Sequence, residues 1–252
     1  MLSSQRQSEI LRTLQLQGTC KIGDLANRFS VSGETIRRSI KPLVERGLVQ
    51  RVHGGITLPD RLQEPPFALR MRKHQDAKRR IAARAAEQIQ DGDSLIMDTG
   101  STTAYTALAL SNHSNLLVVT NSIEIARTLA ARNGNRVYMA GGELRPDDCA
   151  AFGQDAIRFV SNFEVRYAVL SIGAINRHCS FMDFHLCEGE FSRAVIRQAE
   201  QVILAADYSK FELEAAVRVC DAALVNLLIT DRQPPAACAR VLRQAGTRIL
   251  IA

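Results

Sequence analysis

Seven short apolar runs between residues 94 and 251 limit this chain more than any other feature. They fall at 94–98, 116–120, 136–140, 167–172, 202–206, 225–230 and 248–251, and most are separated by stretches with helical periodicity. Runs this short that do not alternate apolar with polar residues are strands covered on both faces. Strand alternating with helix predicts a largely parallel sheet with helices on each side. No run approaches the roughly 18 apolar residues of a membrane span, and the opening MLSSQRQSEI lacks the greasy core of a signal peptide. A soluble, cytoplasmic protein with no membrane partner is expected.

The first third of the chain follows another pattern. Ile10, Leu11 and Leu14 sit at helical spacing before Gly18, and Ile22, Leu25, Ala26 and Phe29 repeat the i, i+3, i+4, i+7 template. A turn at 30–33 offers Ser32 as the N-cap of a third helix, with Ile36, Ile40, Leu43 and Val44 on one stripe and Gly47 as its stop. Two extended runs, 48–52 and 56–58, flank Gly54-Gly55 as a hairpin would. Three helices and a hairpin describe a winged helix-turn-helix over residues 1–58. Three prolines mark 59–73 as a linker, and an α/β domain fills 74–252, opening on a long helix at 74–90 with a basic start (Lys78, Arg79, Arg80).

Charge divides along the same line. Residues 1–80 hold 16 Lys+Arg against 7 Asp+Glu, and the remainder holds 16 against 19, of 32 and 26 in all. A basic module facing a polyanion joined to a mildly acidic body is the simplest account. With the apolar stripe turned inward, Arg37, Arg38 and Lys41 project outward and Thr35 lies near the helix start. Arginine's planar fork suits the O6 and N7 edge of guanine in a major groove. Arg51 and His53 on the hairpin are placed to hold phosphate or enter the minor groove. The expected partner is a double-stranded DNA operator.

In the second domain, DTGSTT from Asp98 to Thr103 follows one strand and opens a helix. Gly100 allows close backbone approach, and the helix-start N–H groups with the Ser101, Thr102 and Thr103 hydroxyls suit a phosphate. Lys210 would supply positive charge, and Asp98 and Asp207 would accept hydrogen bonds from sugar hydroxyls. The six cysteines form no CxxC pair and are expected as reduced thiols. His178, Cys179, Asp183, His185, Cys187 and Glu188 are suitable ligand types at a spacing that matches no zinc arrangement, so neither metal nor cofactor is expected. The sequence holds no GxSxG, P-loop, HExxH or GxGxxG pattern. A sugar-phosphate isomerase-like enzyme is the alternative to a regulator.

Residues 29–38, FSVSGETIRR, with the later His53-Gly-Gly, resemble the N-terminal signature of the DeoR family of bacterial transcriptional regulators. The resemblance continues through DTGSTT, TNS at 120–122, AGGE at 140–143, IGA at 172–174 and DYSKF at 207–211. It implies a repressor whose C-terminal domain is similar to the ribose-5-phosphate isomerase and CoA-transferase fold, binds a phosphorylated sugar or polyol, and assembles as a homo-oligomer. Carried over by position, the implied effector contacts are Asp98, Gly100, Ser101, Thr102, Thr103, Asn121, Gly141, Gly142, Glu188, Asp207 and Lys210. Residues 109–116 and 230–235 resemble the branch that responds to glycerol 3-phosphate, from which 176–187 departs. Ser39 replaces the family's usual acidic residue and Tyr208 its usual histidine, which bear on operator sequence and effector binding respectively.

Overall fold

A computed structural model describes residues 3–17, 19–45, 48–57 and 64–252. The expected stops at Gly18 and Gly47, the end of the hairpin at Leu58 and linker residues 59–63 lie outside them. The chain divides into two compact units, Met1–Pro65 and Pro66–Ala252.

In the first unit α1 (Ser3–Gln17) leads to β1 (Thr19–Lys21), α2 (Ile22–Phe29), α3 (Gly33–Glu45), β2 (Gln50–Val52) and β3 (Gly55–Thr57). Ser30 ends α2 in the left-handed region, φ 51°, where its N–H reaches the carbonyls of Ala26 and Asn27. The Ser32 hydroxyl accepts the Thr35 N–H at 3.2 Å, capping α3 as the sequence predicts. The three strands form an antiparallel sheet in the order β1–β3–β2. The strand at β1 was not expected. Its three residues alternate exposed, buried, exposed, with Cys20 inward opposite Ile56. Ile10, Leu14, Leu25, Ile36, Ile40, Leu43 and Ile56 form the core, so the helical stripes read from sequence are the buried ones.

The second unit opens with α4 (Phe67–Arg72) and α5 (Gln75–Ala86). Helix α4 occupies part of the stretch expected as linker, and α5 is shorter than the 74–90 helix expected there. Then follow β4 (Ser94–Met97), α6 (Ser101–Ala109), β5 (Leu117–Thr120), α7 (Ile123–Leu129), β6 (Arg136–Met139), α8 (Gln154–Val160), β7 (Val165–Leu170), β8 (Ala174–Ile175), β9 (Phe181–Asp183), α9 (Leu186–Ile196), β10 (Ala199–Ala205), β11 (Val217–Cys220), β12 (Leu227–Thr230), α10 (Ala236–Gln244) and β13 (Arg248–Ile251).

The seven apolar runs become one seven-stranded sheet, ordered β13–β12–β10–β7–β4–β5–β6 and parallel throughout. Leu95 and Met97 of β4 face one apolar cluster with Ile81, Ala85, Ala107 and Ile125. Ile96 faces the other, with Ala156, Phe181, Phe191, Val195 and Leu242. Period-2 alternation therefore buries both faces. From β4 the chain winds outward through β5 and β6, then returns to β7 on the opposite side and winds the other way. The crevice at the carboxyl ends of β4 and β7 is the topological switch point, where open α/β sheets take ligands. A small antiparallel sheet, β11–β9–β8, lies outside the expectation.

One expectation is corrected. Cys179, between β8 and β9, and Cys238, in α10, form a disulfide with Cα atoms 5.0 Å apart and a sequence separation of 59. Both lie in one apolar cluster with Phe181 and Leu242, and no spacing signals their pairing. Cys20, Cys149, Cys187 and Cys220 are free thiols. Among the described residues no helix is long and apolar enough to cross a membrane.

Candidate functional site

Helix α3 presents Arg37, Arg38 and Lys41 on its exposed side. Glu34, one turn earlier, lies 3.6 Å from Arg37 Nη1 and 3.8 Å from Arg38 Nε. All three partners are well exposed, so these ion pairs are weak and leave both guanidinium groups available to another anion. Thr35 and Ser32 belong to the helix cap, their hydroxyls 2.9 Å apart. Arg51 and His53 are exposed on the β2–β3 hairpin, whose turn uses Gly54 at φ 72°. Gly55 is required for a different reason. A Cβ there would stand 2.5 Å from the Cys20 carbonyl oxygen. Ser39 is buried, donates to the Thr35 carbonyl and accepts from Arg6 Nη1. It therefore faces the unit's interior, away from the side that carries the arginines.

The second unit gathers most of the remaining candidates at the carboxyl edge of its sheet. Both carboxylate oxygens of Asp98 accept the Ser171 N–H at 3.1 Å, joining β4 to β7 across the switch point. Asp98 is buried, and burial holds its carboxyl well above the usual range, with Glu188 adding to the effect. Gly100 lets this junction close, because a Cβ would meet Ser171 Oγ at 1.8 Å. Ser101, Thr102 and Thr103 are buried in the first turn of α6. The Thr103 hydroxyl lies 3.1 and 3.0 Å from the carbonyls of Asp98 and Gly100, so it serves the turn. No side chain caps α6.

Beyond β5, the Asn121 amide donates to the Ala151 carbonyl at 2.9 Å, while its Oδ1 is fully buried without a partner. Thr230 Oγ at the end of β12 is in the same condition. Buried polar atoms of this kind are rare and favour a ligand or water as the missing partner. Gly142 lies near Ala151 and Phe152, whereas nothing stands within 4 Å of a Cβ on Gly141. Asp207 closes the 3-10 turn at Tyr208–Lys210 by accepting from the Ser209 N–H at 3.0 Å. This use occupies Oδ1 of the carboxylate.

Sequence reasoning missed four cations around these residues. Arg145 bridges Asp148 and Glu188, and its guanidinium stacks 4.5 Å from the centre of the Phe152 ring. Although burial opposes its charge, hydrogen bonds to the two carboxylates hold Arg145 firmly protonated. Arg70 acts electrostatically on Asp98 and stands 3.8 Å from Asp147. Lys73 follows the last residue of α4, and Lys78 lies in the first turn of α5. A signal for Lys78 did exist: with Ile81, Ala82 and Ala85 it continues the buried stripe of α5. The ligand-type residues of 178–188 are spent separately. Cys179 is in the disulfide, Asp183 accepts the Gly173 N–H at 2.8 Å, and Glu188 meets Arg145.

Comparison with known proteins adds to this geometry. The DeoR-like helix-turn-helix domain matches residues 6–61, and the DeoR C terminal sensor domain matches residues 73–232. The chain is 37% identical over 242 residues to the glycerol-3-phosphate regulon repressor of Escherichia coli (strain K12), covering 96% of each chain. It is 33% identical over 246 residues to the HTH-type transcriptional repressor CsqR of the same organism, covering 98% of this chain and 94% of that one. Among solved structures, ribose 5-phosphate isomerase from Methanocaldococcus jannaschii aligns over 55% of each chain with a TM-score of 0.40 and 16% identity.

Proposed function

The chain belongs to the DeoR family of transcriptional regulators, and from that premise we propose a DNA-binding repressor released from its operator by a phosphorylated sugar or polyol. The observation that carries the DNA half is the exposed side of α3, with Arg37, Arg38 and Lys41 turned away from a complete apolar core. A helix so placed enters a major groove with its first turns at the base edges, while Arg51 and His53 meet the backbone. Two or more copies would set paired helices on half-sites one DNA turn apart. Such a repressor works in the cytoplasm.

The effector half rests on the switch point. Asp98, Gly100, Ser101, Thr102, Thr103, Asn121, Gly141, Gly142, Glu188, Asp207 and Lys210 come from segments that follow the strands or begin the helices there. Unpartnered Asn121 Oδ1 and Thr230 Oγ support a polar ligand. Glycerol 3-phosphate is the leading candidate, since similar relatives in Escherichia coli and Haemophilus influenzae are named for that regulon. Preference for the DNA-free conformation by about 1.4 kcal/mol is enough to weaken operator binding tenfold. Isomerase chemistry is disfavoured, because curated relatives matched along nearly the whole chain are named repressors.

Selection of bound fragments from sheared host genomic DNA tests the reading. Recovery of a defined fragment, preferably upstream of genes for sugar or polyol use, is expected. Recovery of random duplex in proportion to its abundance contradicts it.

A further inference from the structure

One covalent bond, between Cys179 and Cys238, joins the tip of the β8–β9 hairpin to α10. The tip is built locally. The Asn176 side chain accepts the N–H groups of His178 and Ser180 at 3.0 Å each, and the Asn176 carbonyl accepts the Cys179 N–H at 2.9 Å. Within that network Cys179 adopts φ 61°, in the left-handed region that an L side chain rarely occupies. The hairpin therefore holds Cys179 in place by its own hydrogen bonds as well as by the disulfide. At its other end the hairpin meets the switch point. Asp183 of β9 accepts the Gly173 N–H at 2.8 Å, and Ile175 of β8 bridges Phe211, the residue after the Tyr208–Lys210 turn. Gly173 lies two residues beyond Ser171, whose N–H Asp98 holds. What fastens the tip thus bears on the edge of the crevice.

The setting is not that of a structural staple. Cys179 and Cys238 lie in an apolar cluster with Phe181, Phe191 and Leu242, so as thiols they would remain packed as small apolar side chains. A unit with two such clusters is not one of the small domains that need a disulfide to fold. The other four cysteines are free, and Cys149 among them is exposed. In the cytoplasm proposed above, where thiols are kept reduced, a disulfide is transient and redox-sensing. Cys220 shares the cluster, but burial, with Asp221 and Asp183, pushes its thiol up to about 12, so it stays protonated and out of the exchange.

We propose that Cys179 and Cys238 are a reversible thiol switch that, when closed, fastens the β8–β9 hairpin to α10 and stiffens the edge of the crevice. The reactant is a low-molecular-weight disulfide of the glutathione type. One cysteine thiolate attacks a sulfur of that disulfide, forming a mixed disulfide and releasing one small thiolate. The second cysteine then attacks the mixed disulfide and releases the other. The pair gives up two electrons and two protons, and the small disulfide leaves as two thiols. A dithiol such as dithiothreitol reverses both steps. Both sulfurs belong to buried residues, yet His178 and Ala237 beside them in sequence are exposed, so opening of the tip alone admits a reactant. The thiol chemistry needs neither DNA nor effector, and only the cytoplasmic setting rests on the regulator reading.

The test equilibrates the full chain, without oxygen, in glutathione buffers of graded oxidised-to-reduced ratio, with dithiothreitol as the reducing limit. Acid quenching, alkylation and peptide mass spectrometry read each cysteine, and hydrogen exchange is measured over 171–183. Cys179 and Cys238 should close together as the ratio rises and reopen in dithiothreitol, with Cys220 still a free thiol. Closure should slow exchange in 171–183 at least tenfold. Cys238→Ala should show the exchange of the reduced wild type at every ratio, and if that variant does not fold, the reduced wild type itself supplies the open form. A bond that the native chain keeps in dithiothreitol, one that does not form in excess glutathione disulfide, or closure with unchanged exchange in 171–183 overturns the proposal. Sequence-selective DNA binding by the reduced chain is scored separately, so the switch and the regulator reading fail independently.

Discussion

Asp98 at the end of β4 grips the Ser171 N–H beyond β7 with both carboxylate oxygens at 3.1 Å. One buried side chain therefore joins the two strands between which the sheet reverses its winding. Because burial raises its proton affinity, the folded chain holds a proton on Asp98 that the unfolded chain gives up. The associated stability is present at low pH and lost as pH rises through the folded-state value.

Asp98→Asn, which keeps an acceptor for Ser171 and no charge, should stay within about 1 kcal/mol of wild type and flatten that pH dependence. Asp98→Ala leaves the Ser171 N–H unpaired and should cost roughly 1–3 kcal/mol. Urea unfolding at several pH values separates the two. Equal losses in both variants would mean that the hydrogen bond is not what Asp98 provides.

Gly54 and Gly55 are adjacent and needed for different reasons. Nothing lies within 4 Å of a Cβ on Gly54, so Gly54→Ala should lose only about 1–2 kcal/mol for its φ of 72°. A Cβ on Gly55 meets the backbone of Cys20 at 2.5 and 3.2 Å, which cannot yield without separating β1 from β3. Gly55→Ala should be the more damaging, by roughly 1–3 kcal/mol for the overpacking alone. Thermal unfolding of the full chain checks the order.

The exposed basic side of α3 makes a prediction in each direction. Arg37→Ala and Arg38→Ala should each lose roughly 1–3 kcal/mol of operator binding where a guanine contact is removed. Glu34→Gln should tighten binding, since it removes a competing anion 3.6 Å from Arg37. Fluorescence anisotropy with labelled operator reads all three. Unchanged affinity in both arginine variants would displace the reading head from α3.

How much of this was legible in the sequence depended on whether neighbours along the chain decided the outcome. The seven buried runs were readable because alternating faces such as Leu95, Ile96 and Met97 leave no polar side to any of them. Their order in the sheet was not, since pairing β7 with β4 rather than β6 is settled by three-dimensional packing. Pro65 and Pro66 looked like breaks. Yet Pro66 is the N-cap of α4, where proline's missing N–H does no harm. Strands β8, β9 and β11 are two to four residues long, too short for periodicity to register. At the candidate site, the motif residues pointed to the carboxyl edge of the sheet. The sequence could not say that Asp98 turns both its oxygens, and Asp207 one, to main-chain N–H groups. Nor could it say that Lys78, unlike its exposed neighbours Arg79 and Arg80, turns inward.

Lys78 gives a pH signature of its own. Burial lowers it to about 8 from an ordinary 10.5, so between those values the unfolded chain carries a proton that the folded chain has released. Stability attributable to this residue therefore rises with pH across that window. Relative to Lys78→Met, the wild type should gain about 1–2 kcal/mol of unfolding free energy from pH 8 to pH 9.5. A constant difference would show that the ammonium is not desolvated.

Operator affinity with and without the phosphorylated ligand, followed over a series of salt concentrations, tests the central claim most directly. Without ligand, the log–log salt slope should be about −0.9 for each phosphate neutralised, and the native upstream duplex should bind at least tenfold tighter than a scrambled one. Saturating glycerol 3-phosphate, or another phosphorylated sugar or polyol that raises the melting temperature, should remove most of that preference. A flat salt response, equal affinity for both duplexes, or unchanged operator binding with the sensor saturated would contradict the account.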